Sequence, residues 1–129
     1  MRSVMAKRTK KKSVLIVEDH DDTRGFMRFL VERQGFTVIE ASNGLEAIKA
    51  AQAAGPDLVL MDLGMPQLDG LSATKVIREL EGGEQLKIIA LTAYGVDDQQ
   101  AKAAGCDELH FKPLDPKTLE AILNKYLAH

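Results

Sequence analysis

A single cysteine, Cys106, stands in 129 residues. No internal disulfide can form, and a reducing compartment fits. No apolar run approaches the roughly 18 residues of a membrane span. The first such run, Val14 to Val17, is also too short for the apolar core of a signal peptide, so a cytoplasmic protein is expected. There is no internal repeat and no low-complexity linker, and the length suits one domain with a real core rather than two. Residues 1–12 hold no acid and no aromatic side chain. They carry six of the 17 lysines and arginines, leaving 11 against 19 acids in the body. A nucleic-acid or membrane-surface arm is disfavoured by the acidic body and the absence of aromatics. Residues 1–12 are therefore expected to be a disordered, solvated leader, and residues 13–129 the domain.

What is present alternates. Ser13-Val14-Leu15-Ile16-Val17 is a continuous aliphatic run, as in a strand buried on both faces. Asp21 or Asp22 can cap a helix turning Phe26, Met27, Phe29, Leu30 and Val31 inward, closed by Gly35. Thr37 to Ala41 reads as a second strand, and Asn43 with Glu46 as the opening of a second helix that stops at Gly55-Pro56. Asp57 to Met61 is a third strand leading to Asp62. A third helix follows Gly70, with Ala73, Val76, Ile77 and Leu80 at helical spacing. Lys87 to Leu91 is a fourth strand, ending at Thr92. The next helix, about Asp97 to Ala104, is rich in alanine and glutamine and should be the most weakly held element. Glu108 to Phe111 is a fifth strand. After Asp115-Pro116 a last helix buries Leu119, Ile122, Leu123 and Tyr126. Five strands alternating with five helices through short links predict an α/β fold, a parallel sheet covered on both faces.

In an open parallel sheet, ligands bind outside the carboxyl ends of the strands. Those ends carry Glu18-Asp19, Asp62, Thr92 and Lys112. Singly, each has a plain reading as a cap, a strand exit or a surface lysine. Jointly they suit a crevice for phosphoryl transfer. Three close carboxylates need a counter-charge, which a hard divalent cation such as Mg²⁺ supplies. Asp62 would attack phosphorus in line, with Lys112 and Thr92 at the transferring oxygens.

Four stretches then carry a resemblance: Val14-Leu15-Ile16-Val17-Glu18-Asp19, Met61-Asp62-Leu63-Gly64-Met65-Pro66-Gln67-Leu68-Asp69-Gly70, Leu91-Thr92-Ala93 and Phe111-Lys112-Pro113. In this order and spacing the chain resembles a response-regulator receiver domain of the two-component systems, the CheY-like family, over about Ser13 to Leu127. The resemblance implies a flavodoxin-like doubly wound sheet of strand order 2-1-3-4-5. It implies Asp62 as phospho-acceptor, charged by a sensor histidine kinase or a histidine phosphotransfer protein. It implies Mg²⁺, or Mn²⁺ in its place, held by Asp19 directly, by Glu18 through water, by Asp62 and by the backbone carbonyl of Gly64. Thr92 would hydrogen-bond the phosphoryl group, Lys112 would pair with it, and the Lys112-Pro113 bond would be cis.

The chain departs from the family at Leu109, where the usual switch residue is aromatic. Tyr94 is expected to flank the site and set the lifetime of the acyl phosphate more than Gly64 does. His110 is expected to be partly buried and bonded to backbone, and Cys106 to be a structural thiol. The expectation for function is a standalone response regulator with no DNA-binding domain. It would transfer phosphoryl groups only onto and off itself, and would signal through the face of helix 4, strand 5 and helix 5. The alternatives are a receiver excised from a hybrid kinase or larger regulator, and a phosphorylation-independent adaptor. A phosphohydrolase would need a second acid after Asp62, where Leu63-Gly64 stand. A flavodoxin would want a hydroxyl- and glycine-rich phosphate loop where Glu18-Asp19 stand.

Overall fold

The structure, a computed structural model, describes residues 11–65, 68–93 and 95–127. The expectations for Tyr94 and for most of the leader fall outside these residues. The elements are β1 (Ser13–Val17), α1 (Asp21–Arg33), β2 (Thr37–Ala41), α2 (Gly44–Ala54), β3 (Leu58–Asp62) and α3 (Gly70–Glu79). After a 3₁₀ turn (Gly83–Gln85) come β4 (Lys87–Thr92), α4 (Asp98–Ala104), β5 (Glu108–Phe111) and α5 (Pro116–Leu127). All strand pairings are parallel and the order is β2-β1-β3-β4-β5. The expected flavodoxin-like architecture is present.

The central strands are apolar throughout because both their faces are covered. Period-two alternation sends Leu15, Val17, Val59, Met61, Ile88 and Ala90 to one side, where α2, α3 and α4 add Ala47, Ala73, Ile77 and Ala101. Val14, Ile16, Leu58, Leu60, Ile89 and Leu91 face the other side, against Met27 and Val31 of α1 and Leu119, Ile122 and Leu123 of α5. The edge strands β2 and β5 are only half-buried.

Three helices start on side-chain caps. Asn43 accepts from the Glu46 N–H at 2.9 Å, Asp69 from the Ser72 N–H at 2.9 Å, and Asp97 forms a full capping box with Gln100. Helix α1 differs from expectation. Its N-cap position is His20, which makes no side-chain cap, while Asp21 and Asp22 occupy the first turn. Carboxylates there still favour the positive end of the helix dipole.

Two apolar expectations are corrected. Phe26 and Phe29 are 53% and 54% exposed rather than inward. With about 100° per residue, the line through Met27, Leu30 and Val31 meets the sheet, and Phe29 falls nearly opposite Met27. Val76 is likewise exposed, at the margin of a buried face made by Gly70, Ala73, Thr74 and Ile77. Tyr126 is only half-buried, because its hydroxyl reaches outward to the Glu108 carboxylate.

Candidate functional site

Beyond the end of β1 the Glu18 N–H donates to the Ala41 carbonyl at 3.0 Å, so the ladder holds one residue further. This turns the Glu18 side chain into the sheet's carboxyl edge, where it is fully buried. A buried carboxylate must be paired. Its Oε1 accepts from Lys112 Nζ at 2.9 Å, and its Oε2 accepts from the His20 backbone N–H at 3.0 Å. Burial pushes the Glu18 carboxyl up, but Lys112 and the His20 contacts outweigh it and hold the group below its ordinary range.

Asp62 ends β3 and is 3% exposed. Its Oδ1 accepts from the Gly64 N–H at 3.0 Å, and its Oδ2 lies 3.4 Å from Lys112 Nζ. Here burial prevails. With the Glu18 charge adding to it, burial lifts the Asp62 carboxyl above its ordinary range, and the Gly64 N–H and Lys112 only partly offset it. Helix α3 starts against this loop. A Cβ at Gly70 would collide with the Asp62 carbonyl oxygen and sit 2.8 Å from Cα of Leu63.

Lys112 is thus shared between two carboxylates. Burial favours its neutral form, but Glu18 and Asp62 prevail and keep its ammonium charged to higher pH than usual. Its backbone N–H donates to the Thr92 carbonyl at 2.8 Å, which ties the lysine to the end of β4, and the Lys112-Pro113 bond is cis as expected. Thr92 is buried one residue beyond the β3–β4 pair Asp62–Leu91.

Asp19 completes the cluster. Its Oδ1 is buried and has no hydrogen-bond partner among the described residues. His20 Nδ1 lies 3.4 Å away, near enough for charge attraction but without hydrogen-bond geometry. One ammonium therefore serves two desolvated carboxylates, Glu18 and Asp62, while a third, Asp19, stands beside them with an orphaned oxygen. Buried polar atoms are rarely left so. A set of hard oxygen donors short of positive charge is what a divalent cation fits, with Asp19, Glu18, Asp62 and the Gly64 carbonyl as the residues that would hold it.

The site contains two residues that the reading of strand ends passed over. His20 Nδ1 lies 3.1 Å from Glu18 Oε2; the signal was its place directly after the acidic pair. Arg24 donates from Nη1 to the Glu18 carbonyl at 2.8 Å, from Nε to Glu40 at 2.7 Å and from Nη2 to Asp21 at 2.6 Å, clamping the loop that carries the acids. Its position three residues after Asp21 was the available sign.

Around the site, Leu109 is half-buried against the core on the α4 side of the sheet. His110 corrects its expectation. Its Nε2 meets Glu108 Oε1 at 2.9 Å rather than backbone, because residues two apart on a strand share a face. Cys106 is buried and burial pushes its thiol up, which suits a structural role. Helix α4 buries only Ala101 and Ala104.

Comparisons with known proteins agree with the fold that carries this site. The response regulator receiver domain family matches residues 14–124. The polar-differentiation response regulator DivK of Brucella anthropi is 36% identical over 114 residues, 86% of this chain and 93% of that protein. The receiver domain of a sensor histidine kinase from Pseudomonas aeruginosa superposes with a TM-score of 0.84 at 30% identity, covering 93% of this chain and all of that one. Its structure holds a magnesium ion coordinated in the active-site cleft. The receiver domain of a Saccharomyces cerevisiae response regulator, solved with a histidine phosphotransfer protein, superposes with a TM-score of 0.83 at 29% identity, covering 90% and 88% of the two chains.

Proposed function

The chain belongs to the response regulator receiver domains of two-component signalling, and from that premise we propose that Asp62 accepts a phosphoryl group from phosphohistidine. The observation that carries this is the bridge of Lys112 between buried Glu18 and desolvated Asp62, at 2.9 and 3.4 Å. An Asp62 oxygen attacks phosphorus, the P–N bond breaks, and the donor imidazole leaves. The Gly64 N–H holds Oδ1 and fixes the plane of the attacking carboxylate. Lys112 moves its positive charge from the carboxylate pair toward the phosphoryl oxygens, and the Thr92 hydroxyl donates to one of them. Asp19, with Glu18, Asp62 and the Gly64 carbonyl, would hold a divalent cation, Mg²⁺ or Mn²⁺, which when bound would offset charge on the same oxygens.

The product is a bulkier and more negative group at the end of β3. Drawing Thr92 and Lys112 toward it biases the two elements that lie between them in the chain, α4 and β5. Helix α4 is suited to move because only two alanines anchor it. Leu109 can follow by changing rotamer without exposing or burying a hydroxyl. The outer face of α4, β5 and α5 is then what a protein partner reads. The phosphoryl donor is a sensor histidine kinase or a histidine phosphotransfer protein, supported by the yeast receiver domain bound to the latter.

The test is incubation with acetyl phosphate and Mg²⁺ followed by intact mass. Wild type is expected to gain one phosphoryl group and Asp62→Asn none. A wild-type protein that gains nothing, with the cation present, sinks the reading.

A further inference from the structure

Three of the helices that follow strands begin on a side chain that caps them: Asn43, Asp69 and Asp97. His20 holds the same position on α1 and caps nothing. Its ring turns back instead over the acidic pair. We propose that His20 Nδ1 is a direct ligand of the cation in this site. The site is then one of mixed nitrogen and oxygen donors that favours Mn²⁺ and other first-row transition ions over Mg²⁺. The proposal rests on the assignment of Asp19 and Glu18 as the cation's holders and goes beyond it in the donor and the ion.

Spacing is the first support. Glu18, Asp19 and His20 each offer an atom, and the three atoms lie within 4.8 Å of one another. His20 Nδ1 is 3.1 Å from Glu18 Oε2 and 3.4 Å from Asp19 Oδ1. Adjacent donors around an octahedral ion with bonds of about 2.1 Å stand roughly 3 Å apart. The observed separations approach the edges of such an octahedron, and the same spacing can hold a shared proton when no ion is bound.

Availability is the second. Glu18 divides its labour, with Oε1 on Lys112 and Oε2 on the histidine side. Asp19 Oδ1 is buried with no hydrogen-bond partner among the described residues, so an acceptor already waits beside the ring. The His20 side chain is 71% exposed, which places it at the mouth of the site, where an ion enters and leaves. The backbone N–H of His20 donates to Glu18 Oε2, so the ring's anchor point is fixed by the carboxylate it serves.

The choice of ion follows from the donor. Imidazole suits first-row transition ions such as Zn²⁺, Fe²⁺ and Ni²⁺ best and Mn²⁺ least among them, whereas Mg²⁺ takes oxygen ligands and keeps much of its water. A nitrogen ligand therefore adds affinity for Mn²⁺ without adding it for Mg²⁺.

The test is pulsed electron paramagnetic resonance of the full, untagged chain loaded with Mn²⁺, with Mn²⁺ and Mg²⁺ affinities measured by calorimetry. Wild type is expected to show nitrogen modulation from one imidazole. His20→Asn should lose that modulation and bind Mn²⁺ at least about tenfold more weakly, the size of loss that even an outer-shell partner brings, with Mg²⁺ affinity unchanged. If Mn²⁺ binds and Asp19→Asn abolishes it, but no nitrogen modulation appears, or the modulation survives in His20→Asn, His20 is not a ligand while the carboxylate site stands. If Mn²⁺ does not bind at all, the carboxylate site and the proposal fall together.

Discussion

The two ends of the sheet each turn on a cation, and use it in opposite ways. At the carboxyl end Lys112 faces Glu18 and Asp62, with Asp19 alongside, and acceptors outnumber donors. At the amino end Arg78, from the last turn of α3, donates to the Gly105 carbonyl at 2.8 Å, to Gly83 at 2.7 Å, to Leu86, and to Asp107 at 2.9 Å. Asp107 in turn accepts from the Ile88 N–H at 2.8 Å, and its own N–H donates to the Ile88 carbonyl at 2.8 Å. The planar fork of arginine matches several fixed oxygens at once, whereas the lysine's point charge can shift between partners. One end is saturated and holds the entrances of β4 and β5 together. The other is left short of positive charge, so a cation and a phosphoryl group have something to complete. Stability resides at the first and reactivity at the second.

This contrast is open to attack from both ends. Arg78→Ala should cause the largest loss of stability, about 3 kcal/mol, because it strips several partly buried oxygens of their donor. Urea denaturation checks the loss, and acetyl phosphate labelling of the folded variant should persist. Loss of labelling in folded Arg78→Ala would join the two ends that the contrast separates. Gly70→Ala should cost about 2 kcal/mol, since its Cβ meets backbone of Asp62 and Leu63. Unlike Arg78→Ala it should also slow labelling, because what must shift is the loop carrying the acceptor. Asp62→Asn should move stability the other way, raising it by about 1 kcal/mol in metal-free buffer while abolishing labelling. It relieves a desolvated carboxylate beside Glu18. A thermal melt in chelator reads this, and a less stable variant would show that the carboxyl end is not short of positive charge.

The last effect, no larger in stability than that of Asp62→Asn, belongs to β5, which runs between the two ends. Glu108 is held down to about 2; burial opposes this, but Lys125, Tyr126 and His110 outweigh it. A carboxyl lowered on folding contributes stability that is present above its unfolded value near 4.5 and lost as pH falls toward about 2. For this partly solvated cluster the contribution is about 1 kcal/mol. Glu108→Gln should therefore flatten the fall in stability over that acid window and leave labelling at neutral pH alone. An unchanged acid profile would remove Glu108 from the account.

Much of this was legible in the chain. Central strands could be read because burial on both faces leaves unbroken aliphatic runs such as Leu58 to Met61. The acids, the threonine and the lysine could be read because a parallel sheet presents its strand ends together, so position along the strand was enough. Helix faces were less legible. Phe26, Phe29 and Val76 are as apolar as their buried neighbours, and hydrophobicity does not say which arc of a helix meets the sheet. The partners of His110 and Arg78 were not legible, because a polar side chain's contacts depend on neighbours distant in sequence, such as Asp107 for Arg78.

The sequence by itself determined the alternation of strands and helices, the strand that ends in Asp62 and the set of residues brought to one edge. Local periodicity and the chirality of parallel connections leave few other solutions. Only the tertiary structure decided how charge is shared within that set. It gave Lys112 to Glu18 more closely than to Asp62, left an oxygen of Asp19 without a donor, and turned His20 from its helix toward the acids. Those outcomes depend on differences in distance of a few tenths of an ångström between residues up to 94 positions apart, which no local pattern encodes.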